Sequence, residues 1–195
     1  MSPVPATKVG ETLELIKRLE QSGSNPSNFD FARLDKLITQ IEKLDRAASL
    51  SFRGTFYRLK CEYARAEEWH EAALRESPNN PNVYHNFAVT LSREGKHVQA
   101  IKILLEGFTN AGIMLESLRD LLINAHMAGR VDIIEAWLPK YNALAGERLT
   151  LDKLEKQIGV GVSNVSADEC YAASCALGCL DDWNSPEEDD AWRHL

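Results

Sequence analysis

Apolar residues recur every three or four positions along most of the chain, which is the period of an amphipathic α-helix. The stripe Leu13, Ile16 and Leu19 predicts a first helix over residues 9–21. Serine, glycine, asparagine and proline then follow one another in segment 22–28, where they favour a break. A second apolar stripe predicts another helix after this break. Its members are Phe31, Leu34, Ile38, Ile41 and Leu44. Alternating β-branched runs with hairpin turns are not found, so the pattern predicts an all-α fold.

From residue 47 onward the pattern repeats with a period of 34 residues. Windows that begin at 47, 81 and 115 follow one another without gaps. Small residues recur at window positions 8 and 20, as in Gly54 with Ala66 and Ala88 with Ala100. At these positions a small residue allows two helices to pack closely, while larger apolar residues at positions 4, 7, 11 and 24 fill the surrounding space.

Gly95 and Gly129 stand at window position 15, in a turn between helices where a positive φ is often required. The first window has Cys61 at this position. The third window has Leu122 and Ile134 at the two small positions. These departures make the three windows unequal.

Taken together, the recurring residues resemble the tetratricopeptide repeat family. The resemblance covers residues 47–148 and implies an α-solenoid of antiparallel helix pairs, with about three repeats. Pro139 falls inside the second helix of the third window, where it should kink or shorten that helix.

Four regions are predicted along the chain. Residues 1–46 form an N-terminal helix pair, which is either a cap or a degenerate repeat, and residues 47–148 form the repeats. Residues 149–180 form C-terminal capping helices, because a terminal repeat needs a cover for its apolar face. Residues 181–195 form an acidic, tryptophan-containing tail.

The net charge of the chain argues against some classes of function. The chain has 22 basic and 29 acidic side chains, for a net charge of −7. This argues against a nucleic-acid binder, which neutralises phosphates with basic residues. Apolar runs are far shorter than the ~20 residues needed to cross a bilayer, and a secretory signal is not apparent. We therefore expect a cytoplasmic protein that binds neither nucleic acid nor membrane. Four cysteines are too few for a disulfide scaffold.

Catalytic motifs are weak. His70 and Glu71 begin like a zinc-protease helix, but Leu74 stands where the second histidine is required. The glycine pair at 159 and 161 lacks the third glycine of a dinucleotide-binding loop and follows a predicted helix, so it is interpreted as a linker. We predict no enzymatic activity, no cofactor and no metal site.

Three cysteines, Cys170, Cys175 and Cys179, cluster near the C-terminus, with His194 beyond them. The favoured interpretation is that they pack a helix as small apolar residues. The alternative is a metal or redox site, although the spacing lacks the usual two-residue gap between ligands.

In the tetratricopeptide repeat family the first helix of each repeat, helix A, lines a concave surface that binds other proteins. The resemblance implies that this surface binds a peptide or helix of a partner, as an adaptor or chaperone-like protein would. The alternatives are that these residues are merely solvated, or that the chain's own termini cover them. The predicted groove residues are Ser51, Thr55, Arg58, Asn82, His85, Asn86, Val89, Arg93, Arg119, Ile123 and His126.

One branch of the family binds the C-terminal carboxylate of heat-shock chaperones. The positions used for that purpose hold Ser51, Thr55, Asn86, Glu116 and Asp120 here. Only Asn86 matches the family pattern, and the two acids would repel a carboxylate. This ligand class is therefore disfavoured.

The last fifteen residues hold six acids and one arginine, together with Trp183 and Trp192. They are either a solubilising end or a strap, that is, a segment whose acids bind a basic partner while its tryptophans fill pockets of that partner. They could also fold back toward the arginines of the groove. The strap interpretation gives an alternative function, an inhibitor or antitoxin-like protein. A homodimer through an exposed end of the array is a further alternative.

Overall fold

The computed structural model describes residues 4–21, 27–146, 149–153 and 156, all within a compact unit that ends at Gly159. These residues contain helices and no strand, which confirms the predicted fold class. The helices are α1 (Val4–Gln21), α2 (Asn28–Glu42), α3 (Arg46–Leu59), α4 (Tyr63–Glu76), α5 (Pro81–Glu94), α6 (His97–Asn110), α7 (Leu115–Met127) and α8 (Val131–Ala145). A short helical stretch follows from Leu151. The predicted tail with Trp183 and Trp192 and the cluster of three cysteines lie outside the described residues.

The helices pack in neighbouring pairs: α1 with α2, α3 with α4, α5 with α6 and α7 with α8. Short connections make the two members of each later pair run in opposite directions. Each pair also packs on the next, and the first helices of successive pairs touch, α3 with α5 and α5 with α7. This is the solenoid of helix pairs that the repeat pattern predicts.

Local sequence signals set the ends of these helices. The side chain of Asp45 accepts a hydrogen bond from the backbone of Ala48 at the start of α3, and Asn80 caps α5 in the same way. Gly95 and Gly129 have φ values of 88° and 67° at the turns after α5 and α7. Cys61, at the equivalent turn of the first pair, has a φ of 58° although it is not a glycine.

The small positions of the first two repeats lie at close contacts. Ala66, Ala88 and Ala100 are fully buried. A Cβ added at Gly54 would lie 2.5 Å from the imidazole ring of His70, so no larger residue fits there without movement. In the third repeat, Leu122 and Ile134 are buried at the corresponding positions, so this pair packs around larger side chains.

Pro139 does not shorten α8, which continues past it to Ala145, and the alternative of a kink stays a prediction. A proline within a helix leaves one carbonyl without its donor, here that of Glu135. Both Pro139 and Glu135 are exposed, so water can solvate that carbonyl.

The N-terminal pair differs in detail from its prediction. α1 begins at Val4, earlier than expected, and Leu13 is 51% exposed. Leu44 lies beyond the end of α2 and is also 51% exposed. The buried face of α1 consists of Thr12, Leu15, Ile16 and Leu19. The last three pack with α2 and with Phe52 of α3 in one apolar cluster.

Candidate functional site

Two equivalent polar contacts join the first helices of neighbouring repeats. Asn86 of α5 donates a hydrogen bond from Nδ2 to Oγ of Ser51 in α3, at 2.9 Å. One repeat later, His85 Nδ1 lies 3.3 Å from Oδ2 of Asp120 in α7 and 3.4 Å from Oγ of Ser117. Both contacts join window position 5 of one repeat to position 6 of the next. They hold α3, α5 and α7 in a common register, and we call the face formed by these three helices the A-helix face.

The predicted groove residues of α3 are largely enclosed within the fold. Ser51, Thr55 and Arg58 are only 3%, 5% and 8% exposed. The hydroxyl of Thr55 donates to the carbonyl of Ser51 at 3.3 Å. The face is therefore least accessible at its first repeat.

The predicted residues of α5 and α7 are more accessible. Asn82, Arg93 and Arg119 are exposed. The remaining members are half-buried. They are His85, Asn86, Val89, Ile123 and His126. Binding by any of the eleven residues remains a prediction, and the accessible part of the face belongs to the second and third repeats.

Charge is distributed unevenly over the A-helix face. Basic residues occupy the last turns of its three helices, as Arg58, Arg93 and His126. Because the three helices run in the same direction, these residues lie toward one end of the face. Glu116 lies in the first turn of α7, toward the other end, and Asp120 lies near the middle of α7.

Asp120 has an unusual environment. Burial raises the pKa of its carboxyl above the ordinary value, while His85, Arg119 and Arg93 partly oppose that rise. Oδ2 is buried and makes no hydrogen bond to any described residue with good geometry, despite the nearby His85 ring. The expectation that a carboxylate ligand is disfavoured at this point stays a prediction.

Arg58 is paired with a residue from outside the repeats. Its Nη2 donates to Oε1 of Glu20, which lies in the last turn of α1. Its Nε is buried and has no hydrogen-bond partner among the described residues. Sequence reasoning missed Glu20, because the repeat pattern contains no information about a helix that precedes it.

Sequence reasoning considered His70 only as part of an incomplete zinc-protease motif, whereas the structure buries it completely within α4 of the first repeat. Its ring stacks on Phe87 at a centroid distance of 5.4 Å, and its Nε2 lies 2.8 Å from Oγ1 of Thr90. Burial, together with the positive charge of Arg58, lowers the pKa of His70 to about 3. The available signal was its place at window position 24, where the other repeats have Leu104 and Leu138.

Two other features of the described residues concern metal binding and membrane insertion. Over the described part of the chain, no three His, Cys, Asp or Glu side chains come together in a way that could hold a metal ion. No helix in that part combines the length and the apolar character required to span a membrane.

A family model for the tetratricopeptide repeat matches residues 71–102. This span takes in the end of α4, all of α5 and the start of α6. Comparison with curated proteins gives no match to the chain. Tetratricopeptide repeats mediate binding between proteins in general. The family match over residues 71–102 and the solenoid of helix pairs therefore support a tetratricopeptide repeat protein, and so a protein–protein interaction module in general.

Proposed function

We propose that the A-helix face binds a peptide or helical segment of a partner protein, so that the chain acts as an adaptor or chaperone-like protein. The observation that carries this proposal is the arrangement of accessible residues on α5 and α7. Val89 and Ile123 occupy equivalent positions on the two neighbouring helices and are both half-buried. Apolar side chains that remain accessible between two helices suit the apolar side of a bound segment.

Each apolar residue has an arginine one helical turn away. Arg93 follows Val89 by four residues, and Arg119 precedes Ile123 by four residues. Residues four apart lie on the same face of a helix, with Cβ atoms about 5–6 Å apart. Both arginines are exposed, so they are suited to pair with acidic side chains that flank an apolar residue of the partner.

The test is affinity capture from a lysate of the source organism, with the full-length protein as bait and mass spectrometry as the readout. The double variant Arg93→Glu, Arg119→Glu reverses both charges on the A-helix face. A matched control, Arg75→Glu with Lys102→Glu, makes the same change of net charge at exposed positions of α4 and α6. We expect the partner to be lost from the first variant and retained by the control.

A third bait, a chain that ends at residue 180, distinguishes the face from the acidic tail. The proposal expects this bait to retain the partner. It is contradicted if the partner is lost with the tail but survives the change of Arg93 and Arg119. That result would support the inhibitor-like alternative instead. Circular dichroism of each bait checks that the helical fold is intact.

A further inference from the structure

We propose that Arg58 is a carboxylate-binding position of the A-helix face, and that Glu20 occupies it when no partner is bound. An acidic side chain of the partner would then replace Glu20 on Arg58. This inference rests on the proposed function, because it assigns a chemical class of ligand to the same face.

The side chain of Arg58 is buried, although it is a cation. Arg58 lies in the last turn of α3 and is 8% exposed, whereas Arg93 in the last turn of α5 is exposed. The helix dipole favours a cation in the last turn of a helix, but this interaction does not require the cation to be buried. A buried guanidinium, in contrast, needs an anion, because an unpaired buried charge is strongly destabilising. Glu20 supplies that anion.

Glu20 leaves part of the Arg58 guanidinium without a hydrogen-bond partner among the described residues. A guanidinium can donate two parallel hydrogen bonds to one carboxylate. Glu20 accepts from Nη2, while the buried Nε has no hydrogen-bond partner among the described residues. A carboxylate that approached Nε and Nη2 together would satisfy both donors.

A carboxylate of a partner can take the place of Glu20 on Arg58 without unfolding the chain. The side chain of Glu20 is 33% exposed against 8% for that of Arg58, so solvent reaches the Glu20 carboxyl, and Arg58 becomes accessible as Glu20 rotates away. Exchange of one carboxylate for another never leaves the arginine unpaired in the bound state. α1 is held by Leu15, Ile16 and Leu19, so Glu20 can rotate away while its helix stays in place.

The charge of the surrounding face agrees with this ligand class. Arg58 shares its end of the face with Arg93 and His126. Glu116, which would repel a carboxylate, lies in the first turn of α7 and thus toward the other end, and burial raises the pKa of Asp120 near the middle of α7, which favours its neutral form. The partner is accordingly expected to place its acidic residue at the end of the face formed by the last turns of α3, α5 and α7.

The test uses the full chain and a capped glutamate, N-acetyl-glutamate α-methylamide, as the probe, with the corresponding capped glutamine as control. The Arg58 Nε–H resonance is followed by NMR in ¹⁵N-labelled protein and is assigned by its loss in Arg58→Lys. Glu20→Gln removes the competing charge at nearly constant size. We expect capped glutamate to shift this resonance saturably in Glu20→Gln, at an apparent Kd at least about fivefold lower than in the wild type, because occupied Arg58 is not competent to bind. Capped glutamine should not shift it.

The inference is overturned if capped glutamate leaves the resonance unchanged in Glu20→Gln, or if it binds that variant and the wild type equally well. Should Glu20→Gln fail to fold, Glu20→Asp keeps the charge on a shorter side chain and should give an intermediate Kd. The lysate experiment reports separately on the proposed function. Loss of the partner in Arg93→Glu, Arg119→Glu with a negative titration would reject only the role of Arg58.

Discussion

Protonation of His70 should weaken the fold in mild acid, and the structure shows why. The hydroxyl of Thr90 donates to the carbonyl of Asn86 at 3.1 Å, so its oxygen is left to accept from Nε2 of His70. This network assigns the proton to Nε2 and leaves Nδ1, which is buried, without a partner. A second proton at Nδ1 would create a buried cation near Arg58 with no acceptor, and this is why the pKa of His70 falls to about 3.

The sign and size of the effect follow from this pKa. The folded state has the lower pKa, about 3 against 6.5 for the unperturbed side chain, so the unfolded state binds the proton more readily. The free energy of unfolding therefore falls as the pH drops below about 6.5, and the loss levels off near pH 3. One pKa unit corresponds to ~1.4 kcal/mol, so the loss from this residue at pH 5 is about 2 kcal/mol.

The variant His70→Leu isolates this contribution. Leucine occupies the equivalent position in the other repeats, as Leu104 and Leu138, and Thr90 keeps its hydrogen bond to Asn86. Unfolding by urea, followed by circular dichroism at pH 7.5 and pH 5.0, gives the free energy of unfolding of both proteins. All other titrating groups are common to both proteins, so their contributions cancel in the difference.

We expect the wild type to lose about 2 kcal/mol more than His70→Leu between these two pH values. Equal losses in both proteins would refute the assignment of His70 as a buried neutral side chain. A greater loss in the variant would refute it as well, because it would reverse the sign of the linkage.

Two further predictions concern backbone and packing constraints. Cys61→Gly should raise the free energy of unfolding by about 0.5–1 kcal/mol, because it relieves a left-handed backbone that costs about 1–2 kcal/mol while adding the smaller entropy cost of glycine. Urea unfolding measures the free energy of unfolding of this variant and of a control, Gly95→Ala. The added Cβ of the control would meet nothing within 4 Å, so it should lose stability through the backbone alone. A Cys61→Gly variant that is less stable than the wild type would contradict backbone strain at Cys61. Gly54→Ala should cost about 1–3 kcal/mol, because its Cβ would overlap the His70 ring at 2.5 Å. The control is Gly10→Ala in α1, whose added Cβ meets nothing within 4 Å and which should stabilise the fold by up to about 1 kcal/mol. If Gly54→Ala and Gly10→Ala shift the melting temperature equally, Gly54 is not tightly packed.

The architecture could be predicted from the sequence because its signals are local. Amphipathic period and turn residues act over a few positions, so a recurring set such as Gly95 and Gly129 marks the ends of helices directly. Within α1 the same reasoning selected Leu13, although the buried stripe follows the spacing of Thr12, Leu15, Ile16 and Leu19. Thr12 can be buried because its hydroxyl donates to the carbonyl of Lys8 at 2.8 Å. A stripe defined by apolar residues alone therefore leaves Thr12 out of the buried face.

The repeat register also located the helices of the candidate site, yet it did not determine which of their side chains are accessible. Ser51 and Arg58 follow the family's groove positions equally well, but the structure buries both. One is paired with Asn86 and the other with Glu20, which is 38 residues away. Such pairs depend on how whole helices pack against each other. The repeat period along the sequence gives no information about contacts between distant segments. Local patterns along the chain thus predict the helix pairs and their order, whereas contacts between distant helices select which groove residues are paired within the fold and which stay accessible to a partner.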